Sequence, residues 1–472
     1  MFNPENAQNE VEFLNRKEVR TCVWNSIELS IPPTVYPPRE DTDLLHEILN
    51  QIKPFGSKRL LEIGSGSGAI SIAAAKHGWT VHACDINPYA VAATQRNAQQ
   101  AGVSIEASEG GIGPIEPGQT VLPWSAGTYD TVVWNMPYIP STEVDSELLG
   151  PMEEAALVDT HPAGLLTVFA QWMSSNRLCK MNGLALLVCR KNVDWKRSVD
   201  IFRQHGIASR IVKSTKFGDD EEICVLAAWQ PFVSSKHHRL REIDSTNAEL
   251  LRGPYSVGDS LIAAKQTSGR GRHGNTWQDH PESFKCSWML NPSQILSITP
   301  EKQLLVAHEI RFALRQQEAH SQQLLVKWPN DLLMRAEQKE MWRKFGGVLF
   351  QSFSKGDQQR LVLGIGMNTQ QNSLSSGQGS LEELGIHHSP SDLFPILNAV
   401  VASLFEQTHL AISNTEDHEF NVESILKACI YRGKTYSVNG VSSRGIMLID
   451  DDDNTVYIDD DVDIDWINLH PQ

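Results

Sequence analysis

The sequence has no CxxC pair, no run of eighteen apolar residues and no excess of positive charge, and each absence closes off a class of function. Its seven cysteines, at 22, 84, 179, 189, 224, 286 and 429, are odd in number, widely scattered and never set beside histidine at zinc-ligand spacing. Reduced thiols follow, with no disulfide frame and no protein-held metal expected. Without a long apolar run, and with the polar opening MFNPENAQNE, neither a membrane span nor a secretory signal is expected, which points to the cytoplasm. The formal charge is −16, from 41 Lys+Arg against 57 Asp+Glu. Residues 1–230 hold 19 basic against 27 acidic side chains and residues 231–472 hold 22 against 30, so neither half offers the cationic face that tracking a nucleic-acid backbone requires.

What is present is ample: 472 residues, 40% of them hydrophobic, enough for about two to four domains. Over 1–230, RLLEIGSGSGAISIAAAKHG, WTVHACDI, YDTVVWNMPYI and LALLVCR alternate short apolar runs with helical stretches, which predicts an α/β sheet with helices packed on it. PFVSSKHHR breaks that periodicity and sets a linker at 231–239. Strand-like LIAAKQT, LLVKWP, GGVLFQ and LVLGIGMN then interleave with helical EKQLLVAHEIRFALRQQEA and FPILNAVVASLFEQTHLA over 240–415, an α+β pattern. Residues 416–472 shift to short strands, YRGKTYSV, GIMLI, TVYI and VDIDWI, parted by Asn-Gly, Ser-Arg-Gly and Asp-rich turns, which predicts a small β-barrel. Nine aspartates fall between 450 and 465, and DDDDN reads as a solvated hairpin turn ahead of a cation site or docking patch.

Leu60-Leu61-Glu62-Ile63-Gly64-Ser65-Gly66-Ser67-Gly68 is an apolar strand ending in a Gly-rich turn that opens a helix. Glycines belong where backbone must approach a ligand closely at positive φ, yet such a loop alone could serve any nucleotide. Asp85, about twenty residues on at the end of VHACD, adds a carboxylate that can accept ribose hydroxyls. The E-x-G-x-G-x-G spacing differs from the dinucleotide fingerprint, which favours S-adenosylmethionine over a nicotinamide dinucleotide. Asn135-Met136-Pro137-Tyr138 follows the buried strand TVVWN. A side-chain amide oxygen and a backbone carbonyl there can accept both protons of a planar NH2 while an aromatic ring stacks on its face, orienting a weak nucleophile for in-line attack on a sulfonium methyl. A plain strand-to-loop turn is the competing reading.

On these residues the first segment resembles the class I methyltransferases with an Asn-Pro-Pro-Tyr motif, in particular the protein-(glutamine-N5) methyltransferase branch that modifies release factors. Val35-Tyr36-Pro37-Pro38-Arg39-Glu40-Asp41-Thr42 is similar to that branch's upstream signature. The resemblance implies a Rossmann-like fold, with Thr42, Glu62, Gly64, Gly66, Gly68 and Asp85 at the cofactor, Glu109 near its adenine, and Asn135, Pro137 and Tyr138 holding the methyl acceptor. Met136 departs from the motif's first proline: its carbonyl remains, but the rigid φ that aims it is gone. The family's helical substrate-recruiting domain has no counterpart before VYPPREDT, so the acceptor, expected to be a protein nitrogen, is left unidentified.

Gln266-Thr267-Ser268-Gly269-Arg270-Gly271-Arg272 follows LIAAK and combines backbone freedom with two guanidinium groups, suited to folding over phosphate oxygens. GRGR also suits RNA, but it occurs once and without basic surroundings. Lys327-Trp328-Pro329-Asn330-Asp331 sets a cation at a strand end, where it can bridge a carboxylate and the α-phosphate it attacks; a strand end capped by Pro-Asn-Asp is the alternative. Asp244-Ser245-Thr246-Asn247 precedes these segments, and Lys344-Phe345-Gly346-Gly347-Val348-Leu349 and Gly364-Ile365-Gly366-Met367-Asn368 follow in order.

That ordered set resembles the biotin–protein ligases across about residues 239–470. The resemblance implies biotin plus ATP, with Mg2+ screening the phosphates, giving biotinyl-5′-AMP, and then transfer to a lysine of a carboxyl-carrier domain. It assigns Ser245, Thr246, Asn247 and Gln266 to the biotin ureido ring, Gly269, Arg270, Gly271 and Arg272 to the adenylate, and Lys327 to the carboxylate–phosphate junction. Gly347 becomes the biotin floor, Asn368 the adenine contact, and the C-terminal strands an SH3-like barrel. Asn275 stands where the family has another Arg, Ser283-Phe284-Lys285-Cys286 replaces a Gly-Asn-rich strand, and 334–344 resembles an insertion. No helix-turn-helix is read before the ligase segment, so operator binding is not expected. The expectation is therefore a bifunctional enzyme; the alternative is a methyltransferase with a non-ligating, biotin-sensing or carrier-docking module.

Overall fold

The computed structural model describes residues 18–116, 119, 122–125, 127–140, 157–191, 197–217, 221–356, 358–371, 374–410, 425–442 and 444–469. The chain divides into two compact units, Met1–Pro231 with Gln407–Ser413, and Phe232–Glu406 with Asn414–Gln472. No helix among the described residues is long and apolar enough to cross a membrane.

The first unit begins with a hairpin of β1 (Arg20–Trp24) and β2 (Ile27–Ile31). Its main sheet is built from β3 (Arg59–Ile63), β4 (Thr80–Asp85), β5 (Ile105–Glu109) and β6 (Tyr129–Asn135). After the short pair β7 (Ile139–Pro140) and β8 (Val158–Asp159), it is completed by β9 (Cys179–Arg190), β10 (Ala208–Phe217) and β11 (Glu221–Trp229). The order is β10-β11-β9-β6-β3-β4-β5, with five parallel strands and an antiparallel pair at one edge. Strand β6 is buried from Tyr129 to Trp134, which is why Val132, Val133 and Trp134 run on as consecutive apolar residues instead of alternating. Tyr129, Trp134, Phe169 and Trp172 fill the core on one side. Because the chain leaves β3 for β4 and β5 on one side and returns to β6 on the other, the strand order reverses between β3 and β6. A crevice at such a reversal, beyond the strands' carboxyl ends, is where open α/β sheets bind ligands.

The second unit has a seven-stranded sheet of β12 (His237–Ile243), β13 (Ser260–Gln266), β14 (Phe284–Leu290), β15 (Leu324–Lys327), β16 (Asp331–Met334), β17 (Arg343–Lys355) and β18 (Gln358–Met367). Its order is β12-β13-β14-β18-β17-β16-β15, antiparallel except for β12 with β13. The stretch read as a linker, 231–239, thus includes the first residues of β12. Helices Pro300–Ala313 and Pro390–Phe405 pack against each other and the sheet. The first of these stops at Ala313, short of the helical pattern that runs on to Ala319. Trp288, fully buried, stacks on Phe394 and donates its indole N–H to Asn398 Oδ1 at 2.9 Å.

Residues 428–466 form a separate antiparallel sheet of β19 (Ala428–Tyr431), β20 (Lys434–Ser442), β21 (Gly445–Ile449), β22 (Thr455–Ile458) and β23 (Ile464–Trp466), ordered β22-β21-β20-β19-β23. YRGKTYSV, expected as one strand, is split by a turn at Arg432-Gly433, whose φ angles of 49° and 76° suit a tight hairpin. Asn439-Gly440, expected as that turn, lies inside β20, where the register against β21 shifts between Val438 and Gly440. A bulge and a hairpin turn both favour Asn-Gly, and sequence does not separate them. Asp450 closes the DDDDN turn by accepting from the N–H groups of Asp452 and Asn454 at 3.0 and 2.8 Å.

Candidate active sites

In the first unit Gly64, Gly66 and Gly68 have φ of 67°, 53° and 80°. A Cβ built on Gly68 would come within 3.0 Å of Thr94, so the loop is both left-handed and closely packed. Asp85, at the end of β4, accepts from Gly66 N–H through Oδ2 and from Asn87 N–H through Oδ1, each at 2.9 Å. Burial pushes its carboxyl above the usual range, and those two N–H groups pull it back. The 35–42 stretch returns to the same loop: Tyr36 O lies 3.5 Å from the position of a Cβ on Gly66. It then starts the helix Glu40–Asn50, whose first turn holds Asp41 and Thr42, both buried. Asp41 Oδ2 accepts from Asn135 Nδ2 at 2.9 Å, and its Oδ1 accepts from Thr42 N–H at 2.6 Å.

That pair decides how Asn135 faces. A carboxylate can only accept, so the amide nitrogen is committed to Asp41 and the amide oxygen remains for a donor elsewhere. Met136, beside it, is 3% exposed, and its N–H points to Val188 O at a long 3.4 Å. A proline has no such N–H, so the residue that loses the ring's φ restraint continues the ladder toward β9 instead.

In the second unit a cavity of about 410 Å3 gathers residues from seven segments. Ser245 caps the helix Thr246–Arg252, and both Thr246 N–H and Thr246 Oγ1 donate to Gln266 Oε1, at 2.8 and 3.1 Å. Ser287 Oγ lies 2.7 Å from Thr246 Oγ1 and 2.6 Å from Asn247 Oδ1, which closes a buried polar floor. At the other end Lys327 Nζ contacts Asp331 Oδ2 at 3.1 Å and Asp461 Oδ2 at 2.9 Å. Lys344 Nζ holds the second oxygen of Asp331 at 2.7 Å. Arg272 bonds Asp461 Oδ1 at 2.7 Å and Asp460 Oδ1 at 3.0 Å. Burial alone would push the Lys327 ammonium down, but Asp331 and Asp461 outweigh it and hold it above its usual value. Asp331 is equally poised: burial would raise it, and Lys344 and Lys327 bring it below the usual carboxylate range.

Comparison with known proteins matches residues 60–149 to a methyltransferase domain model and residues 233–368 to the biotin/lipoate A/B protein ligase family. The chain joins a methyltransferase domain to a biotin/lipoate-type ligase domain. Over 126 residues it is 38% identical to a Methanocaldococcus jannaschii protein named for protein N5-glutamine methyltransferase activity, covering 26% of this chain and 58% of that one. Over 229 residues it is 28% identical to the bifunctional ligase/repressor BirA of Escherichia coli K12, covering 44% and 68%. A biotin protein ligase from Aquifex aeolicus, solved with biotin and ATP, superposes with a TM-score of 0.37 at 22% identity over 48% of this chain and 97% of its own. The chain therefore spans just over half the length of the first of these relatives.

In the methyltransferase unit the expected residues fall around the end of β3 and β6, with differences in orientation. Glu62 turns inward, accepting from both Ser71 N–H and Ser71 Oγ. Thr42 Oγ1 takes part in the helix cap with Arg39 N–H at 3.2 Å. Glu109 is exposed, level with Asp85 on the neighbouring strand. Pro137 and Tyr138 are partly buried just beyond Asn135. The residue missed from sequence is Asp41: it stood in the quoted signature, but its partner lies 94 positions away, with no local signal.

In the ligase unit the cavity is lined by Ser245, Thr246, Asn247 and Gln266 at one end and by Arg270, Gly271, Arg272 and Lys327 at the other, with Gly347 between. Gly269 and Asn368 are not on its lining. Gly269 sits against Trp277, and Asn368 is buried with Nδ2 donating to Gly379 O at 3.2 Å. Asp331, Lys344, Trp277 and Asp461 line the cavity without having been singled out. Trp277 lies flat over Gly366, where a Cβ would meet its ring at 2.9 Å. Lys285, in the stretch that departs from the family pattern, is 1% exposed at its side chain and is neutralised by Asp279 at 2.9 Å.

Glu62 gives the methyltransferase unit a pH dependence. Burial raises its carboxyl from 4.5 to about 8 against the lowering effect of Ser71. The folded state keeps this proton after the unfolded chain has released it, so its contribution to stability is full below about 4.5 and is lost as pH rises to about 8. Glu62→Gln, which can still accept from Ser71 N–H, is expected to flatten the melting temperature of this unit across that window in a thermal denaturation series.

Proposed function

We propose that the chain is a bifunctional enzyme. Its methyltransferase unit moves the methyl of S-adenosylmethionine to a protein amide or amine nitrogen, and its ligase unit makes biotinyl-5′-AMP and biotinylates a lysine of a carboxyl-carrier domain. The observation that supports the ligase reading is the bridge at Asp461, because one carboxylate reaches Lys327 and Arg272 at the same time. Two cations able to grip one anionic group are what an acyl-phosphate junction needs.

A biotin carboxylate oxygen attacks the α-phosphorus of ATP, the bond to the β-phosphate oxygen breaks, and pyrophosphate leaves. Lys327 and Arg272 neutralise charge that grows on the oxygens between them, and Mg2+ brought in with the nucleotide would screen the remaining phosphates. The Ser245–Asn247 turn and Gln266 offer the ureido ring its donors and acceptors, and Ser287, buried beneath them, holds Thr246 and Asn247 in place. The acceptor lysine then attacks the acyl carbon, and AMP departs with its phosphate oxygen.

In the methyltransferase unit the glycine turn and Asp85 fit an adenosyl group, with bare backbone and a carboxylate at its rim. Asn135 Oδ1, left open by the bond of Nδ2 to Asp41, accepts a hydrogen bond from the acceptor NH2 and so aims the nitrogen lone pair at the sulfonium carbon. The N–C bond forms as the S–C bond breaks, S-adenosylhomocysteine leaves, and the nitrogen gives up a proton. Asp41→Ala frees the amide to turn over and is expected to slow methyl transfer by about tenfold to a hundredfold, as small misalignments do. Asp41→Asn keeps an acceptor oxygen and is expected to retain more activity.

All seven cysteines are free, which agrees with a cytoplasmic location, and operator DNA has no place among the proposed partners. Incubating the purified chain with labelled biotin, ATP and a carrier domain tests the ligase reading. Labelled methyl transfer into a lysate depleted of the endogenous activity identifies the acceptor, with release-factor glutamine the first candidate. Biotin binding without transfer would instead indicate a sensing module.

A further inference from the structure

The segment between β22 and β23, Asp459–Asp463, serves no step of the chemistry above, yet its Asp461 lines the ligase cavity. Asp459, Val462 and Asp463 are exposed, whereas the side chain of Asp461 is 15% exposed, that of Lys327 12% and that of Arg272 16%. Asp461 uses its two oxygens on two different cations, Oδ2 on Lys327 and Oδ1 on Arg272, while Asp460 takes the other end of the guanidinium and His273 Nε2 at 3.1 Å. Burial would raise the Asp460 carboxyl, and its hydrogen bond from Asp461 N–H with the nearby Arg272 and His273 brings it below the usual range.

These contacts are those a phosphate or carboxylate ligand would make. Lys327, Lys344 and Arg272 face Asp331, Asp460 and Asp461, and Arg270 also lines the cavity, so the site carries one positive charge with the segment in place and three once it withdraws. A metal ion suits the corner less well: His273, Asp460 and Asp461 can each bring a donor atom within 4.8 Å of the others, but both carboxylates are already held by cationic side chains.

We propose that Asp461 is an internal occupant of the adenylation site, holding the position of the ligand's anionic group, so that ATP or biotinyl-5′-AMP reaches Lys327 and Arg272 only by displacing it. This rests on the adenylation reading of the cavity and adds a residue that sets its affinity and specificity. An anion must outbid a carboxylate tethered at high local concentration, which reduces the apparent affinity by the fraction of molecules with the segment withdrawn. Neutral ligands gain nothing from the displacement, so the device favours ligands that carry charge to this point. It also ties nucleotide binding to movement of the segment that joins the two edge strands of the C-terminal sheet.

The test is calorimetric titration of ATP, without divalent metal, into the full chain and into Asp461→Asn, with Asp463→Asn as a control for general loss of negative charge. Asp461→Asn is expected to bind ATP about tenfold more tightly than the parent, and Asp463→Asn to stay within about twofold of it, since exposed charges are screened. Amide hydrogen exchange over 459–466 is expected to speed up when ATP is added to the parent chain. Equal or weaker binding by a folded Asp461→Asn, or exchange unchanged by ATP, would overturn the proposal and leave the adenylation reading intact. Failure of all three proteins to bind ATP would overturn the adenylation reading and the proposal with it.

Discussion

Lys327→Ala is expected to lower biotin-dependent pyrophosphate–ATP exchange by about a hundredfold to a thousandfold, the range for removing one group that stabilises transition-state charge. Lys327 ends β15 with its ammonium 12% exposed, in a position where water replaces it poorly. The loss should fall on turnover, because the charge it meets grows as the new acyl–oxygen–phosphorus linkage forms and pyrophosphate departs. The fold should survive: Asp331 keeps its 2.7 Å bond to Lys344 and is not left as an unpaired buried charge. Lys327→Arg preserves the charge but cannot place it at the same point, and it is expected to recover only part of the rate. A normal melting temperature with exchange near the parental rate would remove Lys327 from the chemistry.

The second large effect is at Asn135. Removing its amide by Asn135→Ala is expected to reduce methyl transfer by about a hundredfold or more, while binding of S-adenosylhomocysteine, followed by calorimetry, changes little. The reason is the division of labour around it: the glycine turn and Asp85 sit at the end of β3 and β4, whereas Asn135 ends β6, across the reversal in strand order. Loss of cofactor binding in parallel with activity would place Asn135 at the cofactor instead. Asn135→Ala also leaves Asp41 without one of its donors, so Asp41→Ala combined with it should add little further loss if both act through the same amide.

Most of both folds could be read from the chain, because the physical signals are local. Strand β6 carries the run Val132-Val133-Trp134 that needs burial on both faces, and Gly68 takes a left-handed φ in the turn that opens a helix. Ser245, Gln266, Arg272 and Lys327, which line one cavity, stood out for a different reason: each sits in a short motif at a strand or helix end, and their order along the chain resembles one family. What escaped sequence was long-range. Asp41 meets Asn135 and Asp461 meets Lys327 across 94 and 134 positions, and an aspartate bears no mark of which distant cation it will meet. The aspartate-rich tail reads as solvent-facing by composition, which holds for Asp451–Asp453 but not for Asp450, whose side chain is 6% exposed, nor for Asp461, largely covered by a site it complements. Asn368 is the opposite case: its motif is in the sequence, but the side chain lies off the cavity lining with Nδ2 donating to Gly379 O.

In the proposed adenylation the Lys327 ammonium and the Arg272 guanidinium close on a single acyl-phosphate. A crystal structure of the full chain with biotinyl-5′-AMP tests it most directly. The bridging phosphate is expected within hydrogen-bond reach of both Lys327 and Arg272, with the ureido ring at Ser245, Thr246 and Gln266. An adenylate bound with its phosphate beyond the reach of both cations would contradict it.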